Sequence, residues 1–284
     1  MVSVQFILAI GGSKISKKVY AVISATGLMS FSGVLVETAM NVTFPTLMKQ
    51  FGLATNTVQW MTSIYLLVIS VIVPLSAALK SSFKTKQLFV TANLLFFAGL
   101  LLDALAPNFA ILLLGRAIQG LGTGIALPLM FNIILEQVPA DKIGLMMGFG
   151  NLITGVAPAL GPTFGGLVIN NLGWRYVFFF LMPLIILSLF LGLYGIQQKS
   201  KIVKIKPEFS AQGNAFLNTI QQFAGAIGTS LTSAIVALSQ DQYGSKDPRP
   251  TAIGTQHAFI FLAVIVVFLW FMFYKNMKIE GGSK

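Results

Sequence analysis

The feature that most constrains this chain is the placement of its charges. Among 284 residues there are 19 Lys or Arg and 8 Asp or Glu, bunched into short segments and separated by long apolar runs. A helix needs about 20 mostly apolar residues to cross about 30 Å of hydrocarbon. Eight segments qualify, roughly Val19–Pro45, Val58–Leu79, Leu88–Leu105, Phe109–Leu135, Ile143–Ile169, Tyr176–Ile196, Ala211–Leu238 and Ala258–Tyr274. The expected fold class is therefore an all-α integral membrane protein of about eight transmembrane helices. The N-terminal run Val4–Ile10 is too short to cross, and no basic region precedes it, so it reads as an interfacial lead-in rather than a signal peptide.

Composition removes several function classes. The chain is 55% hydrophobic and 10% charged, against about 25% charged in ordinary soluble domains, which excludes a soluble globular enzyme. Zero cysteine removes disulfides, thiolate metal sites and cysteine nucleophiles, and a single histidine, His257, leaves no basis for zinc chemistry. No metal or cofactor site is expected. Hydrolase, zinc-protease and phosphate-loop motifs are absent too, so the chain is not read as an enzyme. The net charge of +11 does not point to nucleic acid, because the lysines sit in the connections between apolar runs.

Those lysines predict orientation. With a cytoplasmic N-terminus, the inside segments collect Lys14, Lys17 and Lys18; Lys80, Lys84 and Lys86; Lys142; Lys199, Lys201, Lys204 and Lys206; and Lys275, Lys278 and Lys284. The outside segments hold Lys49, Arg175, Lys246 and Arg249. By the positive-inside rule both termini are expected in the cytoplasm, in a multi-pass protein of the cell membrane.

Residues 1–196 form one block of six closely joined spans, residues 197–208 a cytoplasmic basic linker, and residues 209–284 two further spans separated by an external loop at 240–256. The seventh segment carries Asn214, Asn218, Gln221 and Gln222 at three- and four-residue steps, a polar stripe on one helix face. Such a face packs on other helices or lines a wet cavity, since unpaired amides in hydrocarbon are costly.

Two charges fall well inside predicted spans, Glu37 in the first and Arg116 in the fourth. Each costs several kcal/mol, about 3 or more, unless it faces the protein interior or water, which makes each a functional candidate. A carboxyl group shielded from water can exchange a proton near neutral pH, the chemistry a proton-coupled carrier needs. The alternative is structural: the two charges neutralise each other or pair with Asn41 and Gln119. Asp103 and Glu136 sit near span ends and are expected to reach the membrane–water interface. The fifth span is dense in small residues, and those at 144, 148, 155, 159, 162 and 166 align on one face, which predicts close approach of a neighbouring helix there. Pro158 and Pro162 each remove a backbone donor and can bend it, so this span is the candidate for rigid-body rocking.

Four stretches carry a resemblance. Gly150 to Gly166, ending Gly161-Pro162-Thr163-Phe164-Gly165-Gly166, resembles the fifth-helix antiporter motif of the major facilitator superfamily. Glu37-Thr38-Ala39-Met40-Asn41-Val42-Thr43-Phe44-Pro45 looks like the first-helix signature of its fourteen-helix drug:proton antiporter branch, with Glu37 where that branch usually has aspartate. Gly115-Arg116-Ala117-Ile118-Gln119-Gly120-Leu121-Gly122-Thr123-Gly124 is similar to the fourth-helix motif, and Trp174-Arg175-Tyr176-Val177-Phe178 with Pro183 to the entry of the sixth helix. Between the second and third spans, where the family carries a glycine, aspartate and basic cluster, this chain reads Ala77-Ala78-Leu79-Lys80-Ser81-Ser82-Phe83-Lys84-Thr85-Lys86. Basic charge is kept there and the carboxylate that would pair with it is not, so the family's usual gating contact is not expected in its usual form.

The resemblance implies an internally shortened family member, the first six helices plus the last two, exporting drugs or other hydrophobic or cationic small molecules against protons. It implies proton-coupling roles for Glu37, Arg116, Gln119 and Asn41, and a conformational hinge at Gly150, Gly155, Pro158, Gly161, Pro162, Gly165 and Gly166. Asn151, with Asn214, Asn218, Gln221 and Gln222, is the candidate cavity lining. The implied partners are the lipid bilayer, the substrate and protons, with a homodimer as one way to complete a cavity. The alternative is a truncated, transport-inactive or regulatory membrane protein derived from such a transporter.

Overall fold

The computed structural model describes residues 16–196, helical positions 228, 231–232, 234–235 and 238–239, and residues 253–267. The chain divides into two compact units, Met1–Phe223 and Ala224–Lys284. The first contains α1 (Lys17–Asn41), α2 (Phe44–Phe51), α3 (Thr55–Ser82), α4 (Thr85–Ala104), α5 (Phe109–Gln137), a 3-10 turn at Ala140–Lys142, α6 (Ile143–Asn171) and α7 (Arg175–Gly195). Six of these helices, α1 and α3 to α7, are long and apolar enough to cross a membrane. They correspond to the first six expected spans with ends shifted by a few residues.

The described part of the second unit is α8, a shorter apolar helix at Ile253–Val267, together with isolated helical positions from residue 228 to 239. The expected count of eight spans is therefore six long helices plus one shorter one among the described residues. The polar stripe at Asn214, Asn218, Gln221 and Gln222 lies outside the described residues, as do the lead-in Val4–Ile10, the linker 197–208 and most of the loop 240–256.

One boundary differs from the expectation. The first span does not run on to Pro45 but ends at Asn41, and a separate helix α2 begins at Phe44 with Pro45 in its first turn. Proline has no amide to donate to the preceding turn and favours the first turn of a new helix. Gly52, at φ 64°, then ends α2 in the left-handed conformation that suits glycine.

Polar side chains tie the helix starts. Ser16 accepts from the Val19 amide at 3.3 Å, and Asn108 from the Ile111 amide at 3.0 Å, opening α1 and α5. α5 is the inner helix: 78% of its most apolar window is buried, against 22% for α6 and 33% for α7. α3, α4 and α1 surround α5, while α1 also packs on α6 and α7. The outward surfaces of α6 and α7 carry large apolar side chains such as Leu145, Leu152, Leu167, Phe190 and Tyr194, a surface matched to lipid tails.

Glycines decide how near these helices come. An added methyl on Gly99 would lie 2.8 Å from the Gly115 carbonyl, and one on Gly122 2.7 Å from the Ala92 carbonyl, so α4 and α5 touch backbone to backbone. Gly120 meets the Tyr65 carbonyl and the Val68 side chain of α3, and Gly124 the Ile72 side chain. Among the described residues, the packed face of α6 is not the expected one. Gly144, Gly148, Gly155 and Gly166 meet no described neighbour within 4 Å of an added methyl, whereas Gly161 and Gly165 press on Thr38 and Ala39 of α1, and Gly150 on Met130 and Phe131 of α5. Small residues stud both sides of α6, so spacing could not select the face. Met146, Ala157 and Val168 join Gly150, Gly161 and Gly165 in the buried row.

This asymmetry is testable by thermal unfolding in detergent. Gly165→Ala places a methyl 2.7 Å from the Ala39 carbonyl and is expected to destabilise by about 1–3 kcal/mol. Gly155→Ala meets no described neighbour and is expected to leave the midpoint unchanged or slightly raised.

Candidate functional site

Arg116, Gln119 and Thr123 stand at positions i, i+3 and i+7 of α5 and so share one face. All three are buried, with Arg116 and Gln119 at 0% exposure. Arg116 Nη1 donates to Gln119 Oε1 at 2.7 Å, Nε to the Met61 carbonyl of α3 at 3.4 Å, and the guanidinium carbon sits 4.1 Å from the centre of the Tyr65 ring. The tyrosine is held in turn: its hydroxyl donates to the Gly33 carbonyl of α1 at 2.8 Å and is 2.8 Å from the Thr123 hydroxyl. A guanidinium stacked on an aromatic face and donating to an amide oxygen and a backbone carbonyl has replaced part of its lost hydration.

Glu37 lies one turn beyond Gly33 on α1, hence on the side that meets Tyr65. It is half-buried and within electrostatic reach of Arg116. The two form no direct ion pair, and the Arg116 Nη1 and Nε donors go to neutral acceptors. Of the expected coupling residues, the fold thus gathers Glu37, Arg116 and Gln119 in one seam. Asn41 is apart from it: exposed at the end of α1, it accepts from the Thr62 hydroxyl of α3 at 2.8 Å.

Asn151 lies on the exposed side of α6 and is not brought to the Arg116 cluster. Pro158 and Pro162 are likewise exposed, within a helix that runs unbroken from Ile143 to Asn171. Gly161 and Gly165, by contrast, contact Thr38 and Ala39, the residues immediately after Glu37. The α1–α6 joint and the half-buried carboxylate therefore occupy the same stretch of α1.

One sequence expectation is corrected here. Asp103 does not reach the membrane–water interface; it is 0% exposed, with its carboxylate against the backbone of Gly115. Position near a helix end did not decide this, because a residue on the inward face of α4 is covered by α5 however close it lies to the terminus. Glu136 does lie exposed, as expected, and it supplies a carboxylate for the basic connection between the second and third spans: Lys80 Nζ is 2.7 Å from Glu136 Oε1. The partner absent from the local motif comes from the far end of α5.

Sequence reasoning also passed over Tyr65 and Thr123. The signal for Tyr65 was a lone tyrosine in the middle of an apolar span, and for Thr123 its spacing from Arg116, neither of which names a partner on another helix.

With this geometry in place, comparison with known proteins gives a consistent answer. The family model described as Major Facilitator Superfamily matches residues 26–208. The chain belongs to the major facilitator superfamily, and is a multi-pass membrane protein of that type. The Lincomycin resistance protein LmrB of Bacillus subtilis is 36% identical over 93% of this chain and 60% of its own length. The protein of that name from Listeria monocytogenes is 40% identical over 70% of this chain and 42% of its own. A Multidrug resistance protein B homolog from Mycobacterium tuberculosis is 30% identical over 55% of this chain. The chain thus spans roughly two fifths to three fifths of the length of the first two relatives. Among solved structures, the proton:xylose symporter XylE bound to 6-bromo-6-deoxy-D-glucose shares the fold with a TM-score of 0.57 at 15% identity, covering 77% of this chain and 54% of the other.

The Tyr65 network has a measurable role in stability. Tyr65→Phe removes the hydroxyl that joins Gly33 to Thr123 and is expected to cost about 1–3 kcal/mol in thermal unfolding, because both partners stay buried. The ring under Arg116 remains, so the variant is expected to fold.

Proposed function

We propose that the chain takes part in proton-coupled export of drugs or other hydrophobic or cationic small molecules across the cell membrane, with both termini in the cytoplasm. The observation that carries this reading is the seam itself: a half-buried carboxylate on α1 within electrostatic reach of a fully buried guanidinium on α5, with the α1–α6 glycine contact one residue further on. Relatives named for lincomycin and multidrug resistance support the substrate class.

In this reading Glu37 binds and releases the transported proton, while Arg116, fixed by Gln119 and Tyr65, sets the charge that Glu37 senses. Loss of the carboxylate charge weakens its attraction to Arg116 and lets α1 shift, and Gly161 and Gly165 pass that shift to α6, where alternating access needs one group of helices to rock on another. No nucleotide or metal takes part.

Transporters of this kind place substrate between two repeat-related halves, and the chain matches about half of its relatives' length. A homodimer, each copy completing the other's cavity, is the arrangement in which this chain would carry substrate by itself. The second reading, a transport-inactive or regulatory membrane protein derived from such an exporter, is favoured by the same share of length.

Reconstitution in vesicles with an imposed pH gradient and a fluorescent cation separates the two. Gradient-driven export by the wild type is expected to fall to the level of empty vesicles in Glu37→Gln and in Arg116→Ala. Absence of flux from the wild type as well overturns the transport reading and leaves the regulatory one.

A further inference from the structure

Asp103 has no part in the exchange described above, yet it is the most thoroughly enclosed carboxyl group in the described unit. It is 0% exposed, and both of its oxygens are without a hydrogen-bond partner. Native interiors leave few buried polar atoms unpaired, and an unpaired carboxylate is the most expensive kind. Its place is built by glycine: a methyl on Gly115 would collide with Asp103 Oδ1, and Gly99, one turn earlier on α4, clears room for the Gln119 side chain.

α5 holds two unspent donors. Arg116 Nη2 and Gln119 Nε2 are buried and unpartnered, while the other Arg116 nitrogens face Gln119 Oε1 and the Met61 carbonyl. Two acceptors on α4 and two donors on α5 thus stand buried and unpaired. Arg116 is the charge that Asp103 feels, and Glu37 feels the same charge from the α1 side. Tyr65 of α3 lies beneath the guanidinium. From α7, Arg175 approaches the loop after α4, but its Nη2 is bound to the Ala106 carbonyl at 2.7 Å. One guanidinium is therefore within electrostatic reach of both carboxyl groups.

We propose that Asp103 is a second proton-binding site, which shares Arg116 with Glu37. With Asp103 protonated and neutral, Arg116 stays on Gln119 and the Met61 carbonyl. When the proton leaves for water at the 105–108 connection after α4, the carboxylate takes up Arg116 Nη2 and Gln119 Nε2; the proton returns by the same route, and no other bond is made or broken. Since one cation cannot fully compensate two anions, occupancy at Asp103 sets how strongly Arg116 holds Glu37. This inference deepens the coupling reading and rests on it for its functional meaning, but protonation can be read without transport.

The test uses the purified full chain in phosphatidylcholine vesicles and infrared difference spectra between acid and alkaline buffer. The expected result is a protonated-carboxyl stretch that persists in Glu37→Gln, is lost in Asp103→Asn and is retained in Asp103→Glu, the last excluding general collapse. Arg116→Gln is expected to displace its midpoint by about tenfold or more in proton concentration, the usual size of a close charge effect. An Asp103→Asn spectrum that matches the wild type, or a midpoint indifferent to Arg116→Gln, overturns the proposal. Vesicles that export no cation while the band and its Arg116 dependence are present sink the transport reading and leave the second site standing. Export that needs Glu37 but shows no Asp103 band does the reverse.

Discussion

The burial of Arg116 is the constraint around which the rest of this bundle is arranged. A guanidinium withdrawn from water must recover its hydrogen bonds from the protein, and in a membrane span lipid can offer none. Here the recovery depends on distance between helices. Gly120 and Gly124 bring α3 close enough for the Met61 carbonyl and the Tyr65 ring to reach Arg116, and Gly99, Gly115 and Gly122 bring α4 against the other flank. Larger side chains at those positions would hold the helices apart and leave the charge without partners. The fourth-span glycines and the arginine are thus one device: the first create the enclosure that the second occupies.

The joint between α1 and α6 follows the same logic with a different outcome. Thr38 and Ala39 sit in the groove opened by Gly161 and Gly165, directly beside the turn that carries Glu37. Backbone contact of this kind has few interlocking side chains, and its closeness is set by the glycines. The opposite, glycine-studded side of α6 meets nothing within the described unit, and large apolar residues such as Leu145 and Leu152 project from its neighbourhood. Charge compensation at the other end of the bundle is looser. Lys80 and Glu136 are partly exposed at the ends of α3 and α5, where water weakens an ion pair to about 1 kcal/mol or less.

Several features were legible in the chain without coordinates. Charge spacing placed six spans with ends within a few residues of those observed, because hydrocarbon admits no other backbone solution for runs of that length. Glu37 and Arg116 stood out for the same reason, being costly residues in apolar segments, and the family follows from motifs that survive in order. The break at Asn41 was written in Pro45 but overrun by the hydrophobicity of its neighbours. Asp103 was misjudged because distance from a helix end was used where the facing direction mattered.

What the sequence determined by itself is which segments enter the membrane and which charges enter with them, since both depend on transfer of local stretches from water to lipid. What only the tertiary structure decided is who meets whom: that α6 turns Gly161 and Gly165, not Gly155 and Gly166, to α1; that Arg116 rests on Tyr65 and Gln119; that Asp103 closes against Gly115; and that Glu136 reaches Lys80. The reason is physical. Insertion depends on composition summed along a segment, whereas pairing depends on the rotation and separation of helices far apart in the chain, and these are chosen by backbone-to-backbone fit over whole faces.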